Sequence, residues 1–171
     1  MLIETKHFGA LEIQEDRVLT FNQGLFAFEA RKRYILLENE DPENPLWWLQ
    51  SLDDPNLVFV LINPFLFKHD YEFDLSDEDV EELGIQKSEE VVVFCLVVIP
   101  EDVKKMTANL LAPLIINAAS KKGKQIVLLH KNYSTKHLVL EELQKIKQKR
   151  SDKQNIEGEG CSHVSSDQKK G

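Results

Sequence analysis

Carboxylates are the reactive side chains this sequence gathers most densely. Between Asp70 and Glu82 it reads DYEFDLSDEDVEE, eight Asp and Glu with no Lys or Arg among them. Such a run can ligate a hard cation, move protons, or project a negative field. The calcium-loop register, Asp-x-Asp-x-Asp-Gly, is missing, so cation binding has no support. Two readings stay open: a solvated acidic face, or an electrostatic surface for a basic partner, with Asp70, Glu72, Asp74, Asp77, Glu78 and Asp79 as its contacts. A second pair, Asp53-Asp54, has the type for acid–base work. Neighbouring strand residues point to opposite faces, however, and Pro55 marks a turn, so a capping carboxylate is expected there.

The remaining reactive types are scattered. The five histidines, His7, His69, His130, His137 and His163, form no His-Glu-x-x-His pattern, and the two cysteines form no zinc-ligand pair. Cys95 lies between Phe94 and Leu96 and reads as a small core residue; Cys161 lies in a polar tail, so no bridge between them is expected, which suits a reducing compartment. None of the seven glycines builds a phosphate-cradling loop before a helix. No metal and no cofactor are expected, and the protein is expected not to be an enzyme. A hydrolase would need a pocket with convergent titratable groups, of which the sequence shows no sign. Trp47 and Trp48 alternate along a strand, and packing is the more ordinary role for both.

Charge is unevenly spread. Residues 1–120 hold 23 acidic and 9 basic side chains, whereas residues 121–171 hold 6 acidic and 12 basic ones, for a net −8. An acidic body disfavours direct nucleic-acid binding and favours a basic partner, although solubility alone would also explain it. The first residues, MLIETKHFGALEI, lack the basic and apolar regions of a signal peptide, and the longest apolar run, Val91–Ile99, is too short to span a membrane. A cytoplasmic location without membrane association is expected.

The elements that must position these residues are mostly short strands. Leu2–Lys6 and Ala10–Gln14 flank a hairpin turn at His7-Phe8-Gly9, and Val18–Phe21, Tyr34–Leu37, Leu46–Leu52 and Leu57–Ile62 follow, separated by Asn, Asp, Gly and Pro. Asp77–Leu83 reads as one or two helical turns capped by Ser76 and stopped by Gly84. Val91–Ile99 is a central strand. Thr107–Leu111 and Leu114–Asn117 are strands interrupted by Pro113, Ser120–Gly123 is a turn, and Gln125–His130 and Lys136–Leu140 are the last strands. Leu140–Arg150 has helical spacing. The expected organisation is a β domain over residues 1–140, a helical extension over 141–150 and a disordered tail over 151–171. The fold class is mainly β, antiparallel and barrel-like, a single domain with one or two short helices and a C-terminal helix or tail. Periodicity alone leaves barrel and sandwich both open.

One block stands out. Met106–Asn117 reads MTANLLAPLIIN, with Thr107 and Asn109 set among apolar neighbours. Buried polar groups need partners, so these two either satisfy internal backbone groups or lie at an interface, and Met106, Thr107 and Asn109 join the contact candidates. The block, together with FNQGLFAFE at Phe21–Glu29, LQSLDDPNLVFVLINP at Leu49–Pro64, Asp70-Tyr71, and Gly123–Leu129 followed by Tyr133 and His137, resembles the flagellar assembly factor FliW family from the N-terminus to about Leu140. Phe26-Ala27 departs from the family's Pro-Gly, so that turn is expected to be built differently, and Asn63 replaces a commoner aspartate. The resemblance implies a barrel-like binding protein with two partners. One is CsrA, a small RNA-binding translational repressor whose RNA binding it antagonises; the other is flagellin. Exchange between them would relieve repression of flagellin translation. The alternative is a dedicated flagellin chaperone without a translational role.

Overall fold

The structure is a computed structural model that describes residues 1–129 and 131–163, the last eleven of them as backbone only. It opens with a hairpin in which β1 (Leu2–Thr5) pairs antiparallel with β2 (Gly9–Glu12). Gly9 takes φ +66° at the turn, a conformation open to glycine. The hairpin lies over the barrel wall, where Phe8 meets Trp48 edge-on at 5.6 Å between ring centroids.

Nine further strands form one sheet. They are β3 (Leu19–Thr20), β4 (Arg33–Leu37), β5 (Leu46–Ser51), β6 (Val58–Ile62), β7 (Val91–Val98), β8 (Thr107–Ala108), β9 (Leu114–Asn117), β10 (Lys122–Gln125) and β11 (His137–Leu138). Their spatial order is β11-β8-β7-β6-β5-β4-β3-β10-β9, and β7 pairs back onto β9, closing seven strands into a barrel. All pairings are antiparallel except β3–β10, which meet in parallel at Thr20 and Lys122. Closure depends on β7. Its first half, Val91–Phe94, pairs with β9, while Val97 and Val98 pair with β8. A barrel removes the exposed edges that an open sheet of this size would carry.

Strand alternation divides the apolar residues between two cores. One face of the strands fills the barrel: Leu19, Phe21, Leu25, Tyr34, Leu49, Leu61, Phe94, Leu114 and Ile116 form one buried cluster. The opposite face of β6, β7 and β9 carries Ile62, Cys95, Val97 and Ile115 into a second, outer core. That core is roofed by Phe67, Tyr71, Leu83, Met106, Leu110, Ile126, Leu128 and Val139. The segment between β6 and β7, with the chain around β8 and the residues from Ile126 to Val139, therefore forms a covering layer outside the barrel. Within it lies α1 (Asp77–Glu82), whose cap is Ser76, its Oγ accepting the Asp79 N–H at 3.1 Å, and whose stop is Gly84 at φ +65°. Trp47 points inward against Phe94, and Trp48 lies under the hairpin, so both tryptophans are packed.

Three sequence expectations need correction. The Ser120–Gly123 turn lies at residues 118–121, with Gly123 inside β10. The turn needs no glycine because Asn117 Oδ1 accepts the N–H groups of Ala119 and Ser120 at 2.9 and 3.3 Å and Lys121 takes φ +60°. Gly123 instead faces the barrel interior, where an added Cβ would stand 2.4 Å from the ring of fully buried Phe21. The strand expected over Gln125–His130 is assigned one step earlier, at Lys122–Gln125. Residues Ile126 and Leu128 keep the β9–β10 register, donating to Pro113 O at 3.1 Å and Leu111 O at 2.8 Å, but Pro113 has no N–H to return and the ladder ends. His130 lies outside the described residues. The strand expected over Thr107–Leu111 stops at Ala108, because the chain turns at Asn109, whose Oδ1 accepts the Ala112 N–H at 3.0 Å. The chain continues after β11 as α2 (Val139–His163), which takes in the residues expected as a helical extension and part of those expected as a tail. The stretch from Glu141 to Lys149 is rich in Glu, Gln and Lys, and no proline interrupts the helix. Residues 164–171 lie outside the described residues.

The turn at Leu25–Phe28 is built on Phe26 and Ala27. The Phe28 N–H donates to Leu25 O at 2.8 Å, and Ala27 occupies φ +71°. A turn with positive φ at its third residue asks for glycine or asparagine there. Ala27→Gly should therefore raise the unfolding free energy by about 0.5–1 kcal/mol, relief of strain outweighing the added freedom of the unfolded chain. Gly123→Ala should lower it by about 1–3 kcal/mol, since the Phe21 ring has nowhere to retreat. Urea titration of both variants checks the two signs: an unstable Ala27→Gly or a neutral Gly123→Ala contradicts these assignments.

Candidate partner-binding surface

The acidic segment is held by alternation. Tyr71 is buried, and Phe73 and Leu75 pack against the outer core, which turns Glu72 and Asp74 into solvent. The Tyr71 hydroxyl donates to Leu110 O at 2.6 Å, and its ring lies 4.7 Å from that of Tyr133. Tyr133 in turn closes on the backbone of Glu72, its hydroxyl accepting the Glu72 N–H at 3.0 Å and donating to Glu72 O at 3.1 Å. Burial and this setting drive the Tyr71 phenol far above its usual range, so it serves only as a neutral donor.

At the far end of the segment, α1 is locked onto the barrel. Lys124 on β10 places Nζ 2.7 Å from both Asp79 Oδ1 and Glu82 Oε2, with all three side chains largely buried. The hydrogen bonds it donates to the two carboxylates raise the Lys124 ammonium above its ordinary value, with burial opposing. Gln23 Nε2 adds a bond to Glu82 Oε1 at 3.0 Å. From below, Asn117 Nδ2 and Ser120 Oγ both donate to Leu83 O, at 2.9 and 2.7 Å.

The nine contact candidates separate into groups. Glu72, Asp74, Asp77 and Glu78 are exposed, with no ion-pair partner among the described residues. Asp70 is exposed and pairs with Lys68 at 2.9 Å, which holds its carboxyl below the usual range. Asp79 is occupied by Lys124. Met106 is only 4% exposed and belongs to the outer core, its carbonyl accepting the Val139 N–H at 3.1 Å. Asn109 spends its side-chain oxygen on the Ala112 turn and its N–H on Leu96 O at 2.9 Å. Thr107 alone of the block's polar pair borders an exposed surface, between Val98 and Leu138 across the β7–β8–β11 register. Met106 and Asn109 thus spend these groups on bonds within the fold.

Sequence reasoning missed the apolar part of the surface. Phe26, Phe28, Val98, Val127, Leu129 and Leu138 are all exposed. Phe26 and Phe28 project from the Leu25–Phe28 turn, which Gln125 holds by accepting the Phe26 N–H at 3.0 Å. Phe28 stacks edge-on with Phe59 at 5.1 Å. The available signal was alternation: once Ile126 and Leu128 face the core, Val127 and Leu129 must face away.

Groups with the types for catalysis are otherwise committed. Burial pushes the Cys95 thiol up to about 12, and Cys161 lies beyond the described side chains. Burial tends to raise Asp53, but the N–H groups of Lys32 and Arg33 and the Arg33 guanidinium, donating at 2.8, 3.0 and 2.9 Å, hold it below the usual carboxylate range. Asp54 Oδ1 accepts the Asn56 N–H at 3.0 Å. The pair is a turn cap. Among the described residues no group of three or more His, Cys, Asp or Glu is arranged to hold a metal ion, and no helix is long and apolar enough to cross a membrane.

Comparison with known proteins gives one consistent answer. The family profile described as FliW protein matches residues 2–139. The flagellar assembly factor FliW of Alkaliphilus metalliredigens is 47% identical over 86% of this chain and 91% of its own length. That of Caldicellulosiruptor saccharolyticus is 44% identical over 83% and 92%, and that of Treponema denticola 43% over 84% and 96%. A crystal structure of the flagellar assembly factor FliW superimposes with a TM-score of 0.76 at 38% identity, covering 81% of this chain and 96% of that one. Agreement in sequence over residues 2–139 and in fold makes this chain a member of the FliW family.

Proposed function

We propose that the protein is a cytoplasmic flagellar assembly factor that works by binding other proteins rather than by catalysis. Its relatives' names supply the flagellar role. The finer reading is a partner switch: the protein binds the translational repressor CsrA and antagonises its RNA binding, binds flagellin in the alternative state, and so couples flagellin translation to flagellin export. The observation that carries this reading is the unneutralised surface of Glu72, Asp74, Asp77 and Glu78 on a body of net charge −8. A repressor that binds RNA must present a basic face, which such a surface attracts, while the same charges repel an RNA backbone brought close to it.

A second reading, a dedicated flagellin chaperone, is favoured by the exposed apolar residues Phe26, Phe28, Val98 and Leu138. The two readings differ over competition. In size-exclusion experiments the switch requires a stable complex with CsrA that added flagellin dissolves; a chaperone would bind flagellin and ignore CsrA.

The charge argument has its own test. Neutralising Asp74, Asp77 and Glu78 together as Asn, Asn and Gln should slow association with CsrA roughly tenfold at low ionic strength and flatten its salt dependence. The melting temperature should hold, since none of the three carboxylates accepts a hydrogen bond from another residue's side chain. Unchanged rate and salt slope in the triple variant would remove electrostatic attraction as the basis of the interaction.

A further inference from the structure

Beyond β10 the chain stays extended through Ile126–Leu128 and then turns at Leu129, where the Lys131 N–H closes onto Leu128 O at 3.1 Å. Ile126 and Leu128 donate their N–H groups to the chain at Pro113 and Leu111. In an extended chain the N–H and C=O of the intervening Val127 point the other way, at an open edge. Among the described residues the backbone groups of Val127 and Leu129 make no backbone hydrogen bond. Their side chains are 42% and 80% exposed. Val127 and Leu129 line a groove of about 270 Å³ together with Phe73, Asp74, Ser76 and Asp79. Asp77 and Glu78, exposed between Ser76 and Asp79, belong to the same acidic stretch. Lys131 is the one cation among the groove's lining residues.

We infer that this edge is a docking site for an extended segment of a basic partner protein, which adds a strand beside Val127–Leu129 and sets Lys or Arg side chains against Asp74, Asp77 and Glu78. The inference rests on the preceding reading for the partner's identity as CsrA. The backbone argument selects an extended segment, because only a strand matches outward donors and acceptors on alternate residues. The charge argument selects its composition. A second copy of this chain fits poorly, since it would bring the same carboxylates against themselves. Apolar side chains at alternate positions of the incoming strand would cover Val127 and Leu129.

Proline tests the edge directly. At an outward-facing edge position proline is tolerated by the fold, yet it removes the donor and places its ring where the incoming strand must lie. Val127→Pro should keep the wild-type melting temperature within a few degrees and weaken CsrA binding at least tenfold in calorimetry. Leu128→Pro, whose N–H is used internally, should unfold early and serves as the contrast. Where Val127→Pro itself proves unstable, hydrogen exchange on the wild-type complex decides, since the amides of Val127 and Leu129 should gain protection on CsrA binding. A wild-type protein that binds CsrA without protecting these amides, or a folded Val127→Pro that binds it unchanged, overturns the docking site and leaves the functional reading standing. A wild-type protein that does not bind CsrA at all overturns both.

Discussion

Everything in this molecule depends on the two-sided pairing of β7. The strand is long enough to give β6 one edge and to divide the other between β9 and β8. The first division closes the barrel and makes an interior; the second carries the chain off the barrel into the layer that covers it. Because alternate residues of β7 face opposite ways, Phe94 and Leu96 belong to the barrel core and Cys95 and Val97 to the outer one. One run of nine apolar residues thus serves two cores, which is why the run shows no polar face.

The outer core is what gives the surface its order. Tyr71, Phe73 and Leu75 enter it from one side and Met106, Leu110 and Val139 from another, with the Tyr71 hydroxyl joined to Leu110 between them. Carboxylates on a free loop would scatter and would be screened singly. Here they leave the surface at alternate positions of a segment fastened at Tyr71 and Tyr133 at one end and at Lys124 and Asn117 at the other. The block MTANLLAPLIIN is therefore the frame on which an acidic surface is stretched, and its buried Asn117 and turn-forming Asn109 hold that frame together.

The legible parts of this fold were those encoded locally. Strand-like runs, the Ser76 cap, the Gly84 stop and the capping role of Asp54 all follow from neighbours in the sequence. What escaped was set by partners far along the chain. Nothing near Gly123 discloses that Phe21 lies over it, so a glycine that enables close packing read as a turn glycine. Pro113 was rightly seen to break a ladder, but the broken strand was its partner near Ile126, a register visible only in three dimensions. Nothing local to Ala27 discloses that it takes φ +71°, a strained conformation for alanine. For the candidate surface, charge was legible and burial was not. Spacing placed Met106 beside Thr107, and only the two-core arrangement shows that one faces in and the other out.

An open strand edge is a hazard that proteins ordinarily suppress, and the way this one is kept safe bears on what it selects. The edge is short on its free side, Val127 followed at once by the turn at Leu129, and too short to pair stably with an arbitrary strand. Pro113 ensures that the segment is held by only two backbone bonds and by the burial of Ile126 and Leu128, so the edge has little rigid template to offer. The wall opposite is negative, and the body behind it is negative as well. Edge pairing between identical copies is thereby opposed by charge, as it would be with most acidic cellular proteins. What remains is a strand whose own positive charge offsets that repulsion. The carboxylates then act as a filter on the edge, and the edge gives the carboxylates a fixed geometry to act through; neither feature alone would discriminate among partners.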